Sequence, residues 1–322
     1  MKDVHILMLS QMPPVVVEGL SAAFTLHRAW EQPDRNAFIR EVASDIRGLA
    51  PGVHYHVGGP LFDMLPNLEI VSSMGVGYDT IDAREAGRRG IIVTNTPDVL
   101  TDEVADLALG LLVATVRQIP QADRYLRAGG WLEKPYPLTA TLRGRKVGIL
   151  GLGRIGKAIA TRLEAFGLDI AYHGRSRQDV PYRYEPTLLG LAEWCDVLLC
   201  VAPGGKETDG IIDAEVLKAL GPDGVLINVG RGSVVDERAL VEALQAKTIL
   251  SAGLDVFADE PHVPTELIAM EHVVLLPHVG SASVETRRAM GQLVVDNLLS
   301  WFAGKGPVTP VPETPFTGTA FA

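Results

Sequence analysis

The stretch that most restricts the fold is Val147-Gly148-Ile149-Leu150-Gly151-Leu152-Gly153-Arg154-Ile155-Gly156-Lys157-Ala158-Ile159-Ala160. Residues 147–150 form a short apolar run, as expected of a parallel strand covered on both faces. Gly151, Gly153 and Gly156 then satisfy G-x-G-x-x-G, with Arg154 and Ile155 opening a helix. In this pattern the first glycine permits the tight turn and the second lets a pyrophosphate approach the backbone. The third allows close helix–strand packing. The following helix presents its positive end and free N–H groups to phosphates. Glycine turns are common, but strand, turn and helix stand here in the order a dinucleotide site needs.

The rest of the chain alternates in the same way. On the N-terminal side, strands are expected over residues 4–9, 68–73 and 91–95, with helices over 14–24, 38–46 and 82–90. Residues 50–52 read as a loop, and together these elements make a small α/β domain. Pro97 interrupts the pattern and reads as a hinge, after which an apolar helix runs from Thr101 to about Arg117. Beyond the glycine turn, strands are expected over 168–172, 196–201, 225–229, 251–257 and 273–276. Helices over 188–194, 215–220 and 237–246 alternate with them, so a doubly wound parallel sheet follows.

The strand after the glycine turn ends unusually. An NAD site carries an acid there, about 20 residues past the turn, to bind the ribose hydroxyls. This chain has His173-Gly174-Arg175-Ser176-Arg177, with no carboxylate before Asp179. A solvated basic loop would look the same. Two guanidinium groups and a hydroxyl also match the 2′-phosphate of NADP, and the missing acid removes a repulsion. NADP(H) is therefore the expected cofactor, with NAD(H) at lower preference.

Composition excludes several classes. There are 29 basic and 39 acidic residues, a net charge of −10, which disfavours nucleic acid and anionic membranes as partners. The N-terminus lacks a signal-peptide core, and the most apolar later stretch, residues 104–116, is too short to span a bilayer. Cys195 and Cys200 suggest buried free thiols rather than a disulfide framework, and a cytoplasmic location follows. No metal-ligating pattern is present, so no metal is expected.

Arg231, Glu260 and His278 each follow an apolar strand of the second domain. Singly they read as a surface charge, a helix cap and a packed histidine. In an open parallel sheet the ligand crevice lies at the carboxyl ends of the strands, where all three could meet. Carbonyl reduction needs a hydride and a proton. A histidine can supply the proton, a carboxylate can orient the imidazole, and an arginine can hold an α-keto carboxylate. Gly75 and Gly77 also follow a strand, and position alone leaves a plain turn and an anion-binding backbone equally open.

With these stretches in view, the chain resembles the D-isomer-specific 2-hydroxyacid dehydrogenases. The match is carried by residues 148–156, by Leu226-Ile227-Asn228-Val229-Gly230-Arg231-Gly232, by residues 253–261 and by Leu276-Pro277-His278-Val279-Gly280-Ser281. Within that family it looks most like the NADP-preferring glyoxylate/hydroxypyruvate reductases. The resemblance implies a Rossmann cofactor domain at 99–284 and a smaller flavodoxin-like substrate domain at 1–98 and 285–322. The substrate domain would be discontinuous, because the C-terminal helix returns to it, and hinge closure would exclude water. It implies His278 as proton donor, Glu260 as its partner and Arg231 as substrate anchor. Val76 and Gly77 would offer N–H groups to the substrate carboxylate. Asp255 would contact the nicotinamide carboxamide, with Thr101, Gly174, Ser176 and Gly280 also near the cofactor. The family forms homodimers through its cofactor domain, here with an arm at about 115–142 carrying Trp131 that would approach the partner's active site.

The expected activity is NADPH-dependent reduction of glyoxylate and hydroxypyruvate. Another 2-oxoacid, such as 2-ketogluconate, fits the same residues. A phosphoglycerate dehydrogenase fits less well without the acid after the second strand. Formate dehydrogenases carry glutamine where Glu260 stands. A dinucleotide-sensing binding protein is the alternative from another class, and the full catalytic set argues against it.

Overall fold

A computed structural model describes every residue except 53, 54, 317 and 319–322. It divides into two compact units, Met1–Leu100 with Ser283–Ala322, and Thr101–Ala282. These boundaries lie two residues inside those expected for the cofactor domain at each end.

In the first unit, five parallel strands are present among the described residues: β1 (His5–Met8), β2 (Thr25–Arg28), β3 (Ile46–Ala50), β4 (Ile70–Ser72) and β5 (Ile92–Thr94). Their order is β2-β1-β3-β4-β5, the flavodoxin-like arrangement. The helices Pro14–Ala23 and Val284–Phe302 pack closely because Gly19 and Gly291 leave room for Val295 and for Val15 and Val16. The second of these helices returns to this sheet, where Ser72 Oγ donates to Val294 O at 3.2 Å.

Several local expectations are corrected. The helix expected over 38–46 is Arg35–Val42, capped by Asp34, and Ile46 begins β3 instead. β3 was hidden by Arg47 and Gly48, residues poor in strand propensity. Both have tertiary causes. Arg47 pairs with Glu69 at 2.5 Å, and a Cβ on Gly48 would collide with Ile6. β2 was missed because all four of its residues are half-buried, which erases the alternation a strand shows in sequence. The expected loop at 50–52 begins one residue later, since Ala50 closes β3; residues 53 and 54, just beyond, lie outside the described residues. The tail from residue 307 pairs with the sheet. Pro310 bridges Thr94 in antiparallel sense, Val311 N donates to Val93 O at 2.9 Å, and the last residues, 317 and 319–322, are not described.

In the second unit, seven parallel strands are present among the described residues. They are β6 (Lys146–Leu150), β7 (Asp169–His173), β8 (Arg183–Tyr184), β9 (Val197–Cys200), β10 (Val225–Asn228), β11 (Ser251–Leu254) and β12 (Val274–Leu275). Their order, β12-β11-β10-β9-β6-β7-β8, is that of a doubly wound sheet. The chain order reverses between β6 and β9, so the glycine turn after β6 sits at the topological switch point where such sheets bind ligands. β11 ends at Leu254, three residues before the expected limit, and the two-residue β8 was not foreseen. The apolar helix Thr101–Val116 is buried within this unit through Val104, Ala108, Leu111 and Leu112. Its exposed Asp102 and Asp106 pair with Arg162 at 3.0 and 2.6 Å. Cys195 and Cys200 are buried, and burial pushes both thiols up to about 12. No helix among the described residues is long and apolar enough to cross a membrane.

Candidate active site

The glycine turn has the stereochemistry a pyrophosphate needs. Gly151 has φ +98°, which only glycine adopts without strain. Gly153 has open space where a Cβ would lie, leaving the backbone accessible. A Cβ on Gly156 would strike the carbonyl oxygen of Gly151, so the third glycine is required by the turn itself. The helix Arg154–Glu164 begins there without a side-chain cap, so its positive end faces the turn.

Arg175, Ser176 and Arg177 are exposed on the loop after β7. That loop is held by a residue the sequence reading passed over. Gln178 Nε2 donates to Leu152 O, inside the glycine turn, at 2.9 Å. Its backbone N–H donates to the hydroxyl of the fully buried Tyr172 at 2.6 Å. The basic loop and the glycine turn are thus linked directly. Nothing in the sequence marks a glutamine five residues past a strand for this role. The donor set around the turn, with no carboxylate between 173 and 178, fits a 2′-phosphorylated dinucleotide.

Arg231, Glu260 and His278 follow β10, β11 and β12, which are adjacent and in register, so all three leave the same carboxyl edge of the sheet. Asn228 shapes the Arg231 turn. Its Oδ1 accepts from Gly230 N at 3.0 Å and its Nδ2 donates to Arg231 O at 2.9 Å. A Cβ on Gly232 would overlap the Phe257 carbonyl, so this turn lies tightly against the one leading to Glu260.

Glu260 Oε2 accepts from His278 Nδ1 at 2.6 Å, and Glu260 Oε1 accepts from Phe257 N at 3.0 Å. Facing a carboxylate, Nδ1 carries a hydrogen. His278 has φ +52°, a left-handed conformation uncommon for a non-glycine residue. Asp255 accounts for it. The His278 N–H donates to Asp255 O at 2.9 Å, and the Asp255 carboxylate accepts from Val279 N at 2.7 Å and from Gly280 N at 2.8 Å. Burial raises the Asp255 carboxyl above the ordinary carboxylate value, and the two N–H donors oppose that rise. Asp255 therefore shapes the histidine turn, a function the sequence reading did not foresee. Thr101 is half-buried at the start of its helix.

In the first unit, Val76 and Gly77 are half-buried in the loop after β4. Asn95 Nδ2 donates to Val76 O at 2.8 Å, and Thr96 N donates to Gly75 O at 2.9 Å. Among the described residues no cluster of His, Cys, Asp or Glu could hold a metal ion.

Residues 109–280 match the model of the D-isomer specific 2-hydroxyacid dehydrogenase NAD binding domain. The chain is 47% identical over 312 residues to glyoxylate/hydroxypyruvate reductase A of Arabidopsis thaliana, covering 97% of this chain and 100% of that one. It is 44% identical over 307 residues to 2-ketogluconate reductase of Gluconobacter oxydans, covering 95% and 98%. The NADPH-dependent glyoxylate/hydroxypyruvate reductase of Sinorhizobium meliloti, solved with NADP and malonate, superposes with a TM-score of 0.92. Its sequence identity is 51%, covering 99% of this chain and 100% of that one. The glycine turn, the strand-end residues and these similarities agree, and the chain belongs to the D-isomer-specific 2-hydroxyacid dehydrogenases.

Proposed function

We propose that this protein reduces small 2-oxoacids, glyoxylate and hydroxypyruvate, to 2-hydroxyacids with NADPH. The observation that carries the reading is the 2.6 Å contact between His278 Nδ1 and Glu260 Oε2 at the carboxyl edge of a dinucleotide-binding sheet. A bound reduced nicotinamide would supply the hydride for the carbonyl carbon. His278 Nε2 donates a proton to the carbonyl oxygen as negative charge develops there. Glu260 keeps the ring oriented through its contact with Nδ1. Arg231 holds the substrate carboxylate and polarises the carbonyl. The N–H groups of Val76 and Gly77 are assigned as donors for a substrate carboxylate. Gly151, Gly153, Arg154, Ile155 and Gly156 would hold the pyrophosphate, and Arg175, Ser176 and Arg177 the 2′-phosphate. Asp255, Thr101, Gly174 and Gly280 complete the cofactor contacts.

We place the protein in the cytoplasm as a homodimer joined by the arm at about 115–142. Supporting this, Trp131 is 68% and Leu132 95% exposed, and Ile119, Leu126 and Leu138 are exposed nearby. The 44% identity to a 2-ketogluconate reductase favours that oxoacid as the second candidate substrate. Initial rates with glyoxylate, hydroxypyruvate and 2-ketogluconate, each with NADPH and NADH, test the reading. Fast NADPH oxidation with the first two is expected; a response to 2-ketogluconate alone replaces the substrate. His278→Ala should lower turnover at least about a hundredfold while NADPH binding is kept. Near-normal turnover would remove His278 as the donor.

A further inference from the structure

The loop after β4 is held from behind by Asn95, the residue that follows β5. Its Nδ2 donates to Val76 O at 2.8 Å. Its own main chain is gripped by the C-terminal segment, because Asn95 N donates to Thr309 O at 3.3 Å and Thr309 Oγ1 donates to Asn95 O at 2.6 Å. Thr309 is set in turn by the buried Asn297. The Oδ1 of Asn297 accepts from Thr309 N at 3.0 Å and from Val308 N at 2.9 Å, and its Nδ2 lies 2.9 Å from Thr309 Oγ1. A second tie joins the same segment to the loop, from the Tyr78 hydroxyl to Glu313 Oε2 at 2.9 Å.

A trans peptide is planar, so the carbonyl of Val76 and the N–H of Gly77 point in opposite directions from one rigid unit. Drawing the carbonyl toward Asn95 turns the Gly77 N–H away from it. Among the described residues, neither the Val76 nor the Gly77 N–H donates to a protein acceptor. The loop needs such a tether, since Gly77 has no Cβ to restrict rotation of this peptide.

We propose that Asn95 is a positioning residue for the substrate carboxylate. By holding the Val76 carbonyl it aims the Gly77 N–H, and the C-terminal segment backs it through Thr309. The inference rests on the reading of Val76 and Gly77 as carboxylate donors.

The test compares Asn95→Ala and Asn95→Asp with the parent enzyme. Losing one hydrogen bond of ordinary strength corresponds to about a tenfold effect. Asn95→Ala should therefore raise the KM for glyoxylate about tenfold and weaken oxalate binding to the NADP-loaded enzyme equally. The Kd for NADPH and the kcat should stay within about twofold. Asn95→Asp should do worse, because a carboxylate repels the Val76 carbonyl and favours the turned-over peptide. A merely structural residue would lower the thermal midpoint and affect both ligands alike, and that outcome overturns the proposal. So does an unchanged KM. The underlying reading is followed separately, in enzyme labelled with ¹³C-carbonyl valine and ¹⁵N-glycine, by the Gly77 amide resonance as oxalate is added. No shift in the parent removes the carboxylate reading. A shift in the parent, with oxalate affinity unchanged in both Asn95 variants, removes only the role of Asn95.

Discussion

Replacing Arg175 and Arg177 together by alanine isolates the basis of cofactor choice. Both side chains are exposed, so each contact to a 2′-phosphate is a charge-assisted hydrogen bond partly screened by water. The lower end of the usual range, about 1.5 kcal/mol each, applies. The pair then contributes about 3 kcal/mol, or somewhat more than a hundredfold in affinity at about 1.4 kcal/mol per decade. The loop should survive the substitution, because it is anchored by Gln178 to Leu152 O and to the Tyr172 hydroxyl rather than by the arginines. NADH lacks the phosphate and should lose little. The assay is kcat/KM for NADPH and for NADH at fixed glyoxylate, with direct binding of NADP and NAD by calorimetry. A selective fall of about a hundredfold for the phosphorylated pair is expected. Equal losses for both nucleotides, or none, would refute the assignment. A parent enzyme that prefers NADH would do so before any variant is made.

Two further outcomes follow from other parts of the molecule. His27 Nε2 lies 3.1 Å from His5 Nδ1, and burial, followed by the charge of His5, lowers the His27 pKa below 6.5 against the opposing pull of Asp45. The unfolded chain then binds the proton more readily between that lowered value and 6.5. Stability contributed by His27 is present above this window and is lost as pH falls through it. Urea midpoints at pH 7.5 and 5.5 should show a smaller acid loss in His27→Gln than in the parent; an equal loss would assign the sensitivity elsewhere. For the arm, the parent should sediment at twice 34.6 kDa, and Trp131→Glu with Leu132→Glu should shift it toward the single-chain mass. A parent already at the single-chain mass would end the dimer proposal.

The contrast between β6 and β3 shows which parts of the fold were legible in the chain. β6 and its glycine turn are specified locally. Three apolar residues, a turn only glycine can make and a helix start lie within ten positions, and these local preferences agree with the fold. β3 has no such local signal, because Arg47 and Gly48 answer to Glu69 and Ile6 from other elements. The same division runs through the site. That Arg231, Glu260 and His278 follow apolar runs, and that no acid lies between 173 and 178, can be read residue by residue. The 2.6 Å pairing of His278 with Glu260 cannot, since it joins residues eighteen apart through strand order and the left-handed turn that Asp255 supports. Nor can the grip of Gln178 on Leu152, 26 positions away, or that of Thr309 on Asn95, 214 positions away. Periodicity and glycine stereochemistry act over a few residues and are written into the chain. Hydrogen bonds between distant turns exist only once the sheets have brought those turns together.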